Sequence, residues 1–164
     1  KYICIQIFCI QIMADISLIE DKIGILIWKT SNLWQKLIRN ALKKYSLTFN
    51  EYTILEAIKY LKKSEDSISQ VIISRFSGID ISVVSFGLKI LEKKSLIKKE
   101  IDFDNRKKII ELTNQGIAVL NVAMPLVNKI EKELFDKLGN EQIDFCNSLR
   151  LILGRKIRIK ADRF

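Results

Sequence analysis

Apolar positions recur at three- and four-residue steps over long stretches towards both ends of the chain, while the middle breaks into shorter runs separated by polar turns. From Asp15 to Tyr45, the residues Ile16, Ile19, Ile23, Leu26, Ile27, Trp34, Leu37, Ile38 and Ala41 form one stripe, which predicts a single long amphipathic helix. So long a stripe beside a small domain is expected to be covered by another helix, including one from a second subunit. Trp28 lies off the stripe; it could line a pocket or the subunit interface, and ordinary packing is the favoured reading. Thr48-Phe49-Asn50-Glu51 reads as a capping box, in which the threonine hydroxyl and the glutamate carboxylate each satisfy the other's backbone amide. A helix starts there and runs to about Leu61, with Tyr52, Leu55, Ile58 and Leu61 turned inward. Lys62-Lys63-Ser64-Glu65-Asp66 then forms a polar connection.

The pattern between Ser67 and Gly116 predicts a winged helix-turn-helix. Ser69 to Phe76 is a short helix with Val71 or Ile72, Ile73 and Phe76 as its apolar positions, and Gly78 supplies the left-handed residue that ends it. Asp80 can cap the next helix, Ile81 to Lys94, and Ile79 with Val84 fits a hydrophobic staple around that cap. One face of the second helix carries Ile81, Val84, Leu88 and Leu91. The other carries Ser82, Val83, Ser85, Phe86, Lys89 and Lys93, a small, polar or basic set suited to a DNA groove. Leu96 to Ile101 and Lys107 to Leu112 are β-prone runs joined by Asp102-Phe103-Asp104-Asn105-Arg106, which predicts a hairpin. Thr113 caps the helix that follows. The winged module thus spans residues 46–112, with three helices and a hairpin.

Long helical stripes return after Thr113. Ile117, Leu120, Met124, Val127, Ile130, Leu134 and Leu138 mark one helix, kinked near Pro125 and ended by Gly139. Asn140 is expected to cap the next, whose apolar residues include Ile143, Phe145, Leu149, Ile152 and Leu153. Residues 1–12 stand apart: isoleucine and other apolar residues alternate with glutamine ahead of Met13, which predicts a non-native or disordered extension. A signal peptide is the rival for that segment, although no small-residue cleavage site stands out and the run is too short to span a bilayer as a helix.

In order and spacing, Leu91-Glu92-x-Lys94, Leu96-Ile97, Asp104-x-Arg106 and Leu112-Thr113-x-x-Gly116 resemble the MarR family of bacterial transcription regulators. The similarity in layout covers about Ile16 to Leu153, and the specific motifs lie between 79 and 116. It implies a mainly α fold with a small β-hairpin wing, flanked by dimerisation helices at 15–45 and 113–158. It implies a homodimer on palindromic double-stranded DNA, with Arg106 of the wing entering the minor groove, Asp104 orienting it, and Lys107 and Lys108 tracking the flanking backbone. It also implies a small aromatic or phenolic ligand held between the dimer helices and the winged module, and in some members an oxidant-sensing cysteine. The chain departs from the family at Phe86, where an arginine or another polar group is common, at Gly87, where a bulkier residue is usual, and at Ser95, where glycine is usual.

From the residue types alone, Lys89 and Lys93 can reach phosphates or guanine edges, Ser82 and Ser85 can donate to phosphates or bases, and Val83 and Phe86 can touch thymine methyl groups. Charge supports this placement. The 164 residues carry a formal net charge of +9. Lys89 to Lys108 holds eight basic and four acidic residues and Arg150 to Phe164 six basic and one acidic, so those two segments account for the whole excess. A basic patch attracts phosphates by releasing counterions; for the tail, a solvated helix end is an equal reading.

With 48% hydrophobic and 29% charged residues the chain is globular rather than disordered. Cys4, Cys9 and Cys146 show neither ligand nor disulfide spacing and there is no histidine, so no metal or cofactor is expected, and a reduced, cytoplasmic setting is the default. Cys146 fits a buried, inert thiol better than a sensor. Without histidine or a glycine-rich phosphate loop, no catalytic constellation can be assembled, and neither an enzyme nor a membrane protein is expected. The remaining alternative is a winged-helix protein-protein interaction module without sequence-specific DNA binding. The expected function is a transcriptional regulator, a repressor, that a small-molecule ligand releases from its operator.

Overall fold

The computed structural model describes residues 22–65, 67–101 and 108–157. The extension at 1–12, the positions Ile16 and Ile19, Cys4 and Cys9, and the wing-tip residues Asp104, Arg106 and Lys107 lie outside them. Six helices and one hairpin are described: α1 (Ile23–Leu42), α2 (Phe49–Leu61), α3 (Gln70–Ser77), α4 (Ile81–Lys93), β1 (Ile97–Ile101), β2 (Lys108–Leu112), α5 (Asn114–Phe135) and α6 (Gln142–Ile152). Short 3-10 segments follow α1 at Lys43–Tyr45 and α5 at Asp136–Glu141.

Local chemistry sets the helix starts in the middle of the chain. Thr48 accepts from the Glu51 amide at 3.2 Å while Glu51 accepts from the Thr48 amide at 2.8 Å, the reciprocal pair predicted for α2. Ser69 caps α3, and Thr113 caps α5 through the Gly116 amide at 3.0 Å. Strands β1 and β2 pair antiparallel with Ile97 opposite Leu112 and Lys99 opposite Ile110. The Ile110 amide also donates to the Ile68 carbonyl at 3.1 Å, so the segment ahead of α3 lies against the hairpin and anchors it to the helices.

The core lies where α2 meets α3, α4, β2 and α5. Tyr52, Ile54, Leu55 and Ile58 of α2 are buried against Ile73, Val84, Leu88, Leu91, Ile110 and Leu120. Helix α1 is buried in this core at Ile38 and Leu42, with Trp34 packed against it edge-on to Phe49, and α6 buries no residue.

Four expectations need correction. Ile81 and Ile117 belong to their predicted stripes by spacing but are each 43% exposed: burial along α4 begins only at Val84, and the first turn of α5 meets the module through Gly116, which leaves Ile117 to one side. Phe76, named as one of the apolar positions of α3, is half exposed. Trp28 is 66% exposed, so among the described residues it is not packed in the ordinary way, and the subunit-interface alternative is left to it. Asn140 does not cap α6. That helix is entered from backbone already turned helically at Glu141 (φ −74°, ψ −7°), whereas a side-chain cap needs an extended residue there.

Candidate nucleic-acid interface

Helices α3 and α4 diverge by 116° across the three residues Gly78, Ile79 and Asp80, the angle and spacing of a helix-turn-helix. The turn is built by its own side chains. Gly78 adopts φ +73° and closes α3 by donating to the Ser74 carbonyl at 2.9 Å, and the Ser74 hydroxyl donates to the Ile79 carbonyl at 2.7 Å. Asp80 then accepts from the Ser82 amide at 2.7 Å and from the Ser82 hydroxyl. Those bonds, the hydroxyl's foremost, hold the Asp80 carboxyl below its usual value, so the start of α4 keeps a fixed negative cap.

On α4 the two predicted faces separate. Val84, Leu88 and Leu91 are buried, while Ser82, Val83, Phe86, Lys89 and Lys93 are exposed and Ser85 is half-buried. Gly87 explains how closely this helix seats: a Cβ there would lie 2.6 Å from Cδ1 of Ile54, so α4 approaches α2 more tightly than any side chain at that position would allow without movement. At the far end, Lys94 Nζ donates to both carboxylate oxygens of the buried Glu51 at 2.9 Å and to the Ser46 carbonyl at 2.6 Å. Lys94 is therefore a tie between α4 and the start of α2 and is not available to DNA. Sequence reasoning missed this role, since nothing in the spacing links positions 43 residues apart.

The cations of β1 are likewise engaged inside the fold. Lys99 pairs with Glu92 at 2.6 Å, and Lys62 and Lys98 meet Glu111 at 2.8 and 3.2 Å, Lys62 chiefly holding that carboxyl below its usual value. Among the described residues Lys89 and Lys93 make no ion pair, which leaves them as the cations of the exposed α4 face. Between α3, α4 and the hairpin runs a groove of about 550 Å³ lined in part by Ser67, Gln70, Ser85, Lys89 and Lys99. Ser67 and Gln70 were not singled out in the sequence.

The Leu112-Thr113-x-x-Gly116 motif has a steric cause. Ser95 turns left-handed (φ +57°), the Thr113 hydroxyl donates to its carbonyl at 2.7 Å and the Thr113 amide to the Leu96 carbonyl at 3.1 Å. The start of α5 is thereby pressed onto the end of α4, so that a Cβ on Gly116 would fall 2.0 Å from the Leu96 carbonyl oxygen. Of the predicted interface residues, six lie on α4; Lys108 is the first residue of β2, and Asp104, Arg106 and Lys107 are outside the described residues.

Comparison with known proteins agrees with this geometry. The helix-turn-helix-type transcriptional regulator YdcH of Bacillus subtilis is 30% identical over 131 residues, covering 79% of this chain and 88% of the relative. The chain belongs to the MarR family of helix-turn-helix transcriptional regulators. No protein-family model matches the sequence. CouR from Rhodococcus jostii RHA1, solved bound to p-coumaroyl-CoA, shares the fold with a TM-score of 0.71 at 19% identity over 85% of this chain and 97% of that one. A cysteine variant of MarR from E. coli, complexed with operator DNA, shares it with a TM-score of 0.69 at 18% identity over 81% and 94%. This MarR-family chain is thus a DNA-binding regulator with a mainly helical winged fold. Among its described residues no single helix is long and apolar enough to cross a membrane.

Proposed function

We propose that this MarR-family regulator binds a palindromic operator as a homodimer, represses by occupying it, and is released by a small aromatic or phenolic ligand. The observation that carries the reading is the division of exposed surface. The α4 face with Ser82, Val83, Ser85, Phe86, Lys89 and Lys93 is held ready by a capped, tied helix. The flanks, α1 and α6 with the end of α5, leave Ile23, Trp28, Leu151 and Ile152 more than 60% exposed. A second copy covering those flanks would set two α4 helices on successive major-groove faces about one helical turn apart. Arg106 would then enter the minor groove beside each, oriented by Asp104, with Lys107 and Lys108 along the backbone. A pocket of about 340 Å³ between α1, the end of α5 and α6, lined by Leu26, Ile27, Trp34, Phe135, Phe145 and Leu149, suits an apolar ring, and the likeness to CouR supports a small-molecule effector.

Selection of bound sequences from a random duplex pool tests this reading. A site with two-fold symmetry and half-sites about 10 base pairs apart is expected; enrichment of no sequence, with no salt-dependent binding, would favour a protein-interaction module instead. Arg106→Ala should weaken binding to the recovered site and lower the slope of affinity against salt by about one, whereas an unchanged titration would remove the wing from the interface.

A further inference from the structure

We infer that the α4 helix reads its half-site through thymine methyl groups, with Phe86 and Val83 as the specificity-determining residues. The inference rests on the DNA-binding reading above and names what the helix recognises. Side chains that discriminate bases by paired hydrogen bonds are arginine, lysine, asparagine and glutamine, and of these only lysine occurs between Ile81 and Lys94. The polar groups that do occur are placed elsewhere. The Ser82 hydroxyl donates to Asp80 as part of the helix cap. Ser85 is half-buried and turned into the groove shared with Gln70 and Lys89. Lys89 and Lys93 lie in the second half of the helix, where a helix entering the groove by its N-terminus meets phosphates. What projects from the first two turns is apolar: Val83 is 37% exposed and Phe86, at the centre of the outward face, 66%.

A phenyl ring held in water at the centre of a DNA-facing surface gains free energy only if binding covers it. In the major groove the one apolar group on the base edges is the C5 methyl of thymine; guanine, cytosine and adenine present only donors and acceptors there. Phe86 and Val83 are one turn apart and offset around the helix, so they address neighbouring base pairs. Their fit is to adjacent thymines in each half-site, and contact with a cytosine or guanine edge would strip water from a polar group and return no bond.

The test replaces thymine by deoxyuridine, one pair at a time, in the duplex recovered by selection. This removes the methyl and leaves every hydrogen-bonding edge unchanged. Loss of affinity of about fourfold per methyl is expected at one or two positions of each half-site, and no change elsewhere. Phe86→Ala should bind the thymine duplex more weakly and no longer distinguish it from the uracil duplex at the position facing residue 86. Val83→Ser, which removes both methyl groups at a helix-surface position, should retain the fold and lose discrimination at the neighbouring position only. Uracil duplexes bound as well as the parent, while a thymine-to-cytosine change still abolishes binding, would overturn the methyl readout and leave sequence-specific binding standing. A pool that enriches no sequence overturns both.

Discussion

Helices α2 and α6 begin from comparable apolar stripes and end differently. Seven of the thirteen residues of α2 are buried, including the charged Glu51; none of the eleven of α6 is. Helix α1 shows both behaviours along its length, sealed at Ile38 and Leu42 and open at Ile23, Leu26 and Trp28. Periodicity in a sequence reports that a face will be covered, not by what. In the winged module the cover is supplied within the chain, and at the flanks it is left outstanding.

That contrast is tested most severely where the two regions join. Gly116→Ala would put a methyl carbon 2.0 Å from the Leu96 carbonyl oxygen, a backbone atom fixed by the Thr113 amide. Relieving that clash means moving α5 off the module, at a cost of about 3 kcal/mol or more. Gly24, near the open end of α1, has nothing within 4 Å of its would-be Cβ, so Gly24→Ala should leave the unfolding midpoint unchanged or raise it slightly. Equal losses at the two glycines would erase the distinction between the regions.

Leucine truncation sharpens it further. Leu91 is fully buried in the module and Leu151 is 64% exposed on α6. Leu91→Ala should destabilise by about 3 kcal/mol at every protein concentration. Leu151→Ala should leave the stability of the separated chain unchanged and instead raise the concentration at which the proposed dimer assembles, as read by sedimentation. A Leu151→Ala chain that assembles as tightly as its parent would place the covering copy elsewhere.

What the sequence showed and what it withheld divide along the same line. The caps at Thr48, Asp80 and Thr113 and the stop at Gly78 were legible, because each is a bond between residues at most three or four positions apart. The identity of the exposed α4 face was legible for the same reason. Lys94 with Glu51, the approach of α4 to α2 at Gly87, and the exposure of Ile81 and Ile117 were not, since each depends on where a distant element lies. Asn140 misled because a cap is recognised by residue type, and the type was present where the backbone was not extended.

A smaller effect is expected at the seam between α2 and α5. Partial desolvation, reinforced by the Glu56 carboxylate across the seam, raises Glu131 above its ordinary value of 4.5, although the residue keeps an exposed face towards water that moderates the effect. Tyr52 donates to Glu56 at 2.9 Å. A carboxyl whose value is raised on folding favours the folded state only while protonated, so its contribution is lost as pH rises from about 4.5 through the raised value. Glu131→Gln should therefore be more stable than the parent at pH 7 and level with it near pH 4. Parity at both would show that water reaches the seam and screens the pair.

The smallest effect distinguishes close packing from mere coverage inside the module. Gly87→Ala adds helix propensity worth about 1 kcal/mol, and it adds a methyl 2.6 Å from Cδ1 of Ile54, a side chain with no exposure and little room to turn. The two terms oppose, and the net change in stability should lie within about 1 kcal/mol of zero. Ile54→Val removes only the offending carbon and by itself should cost about 1 kcal/mol. If α4 is seated by this contact, Ile54→Val in the Gly87→Ala background costs nothing or stabilises, a coupling that a double-mutant cycle resolves. Additivity of the two substitutions would mean that α4 can shift away from α2 freely, and the tie from Lys94 to Glu51 would then be what holds the DNA-facing helix in place.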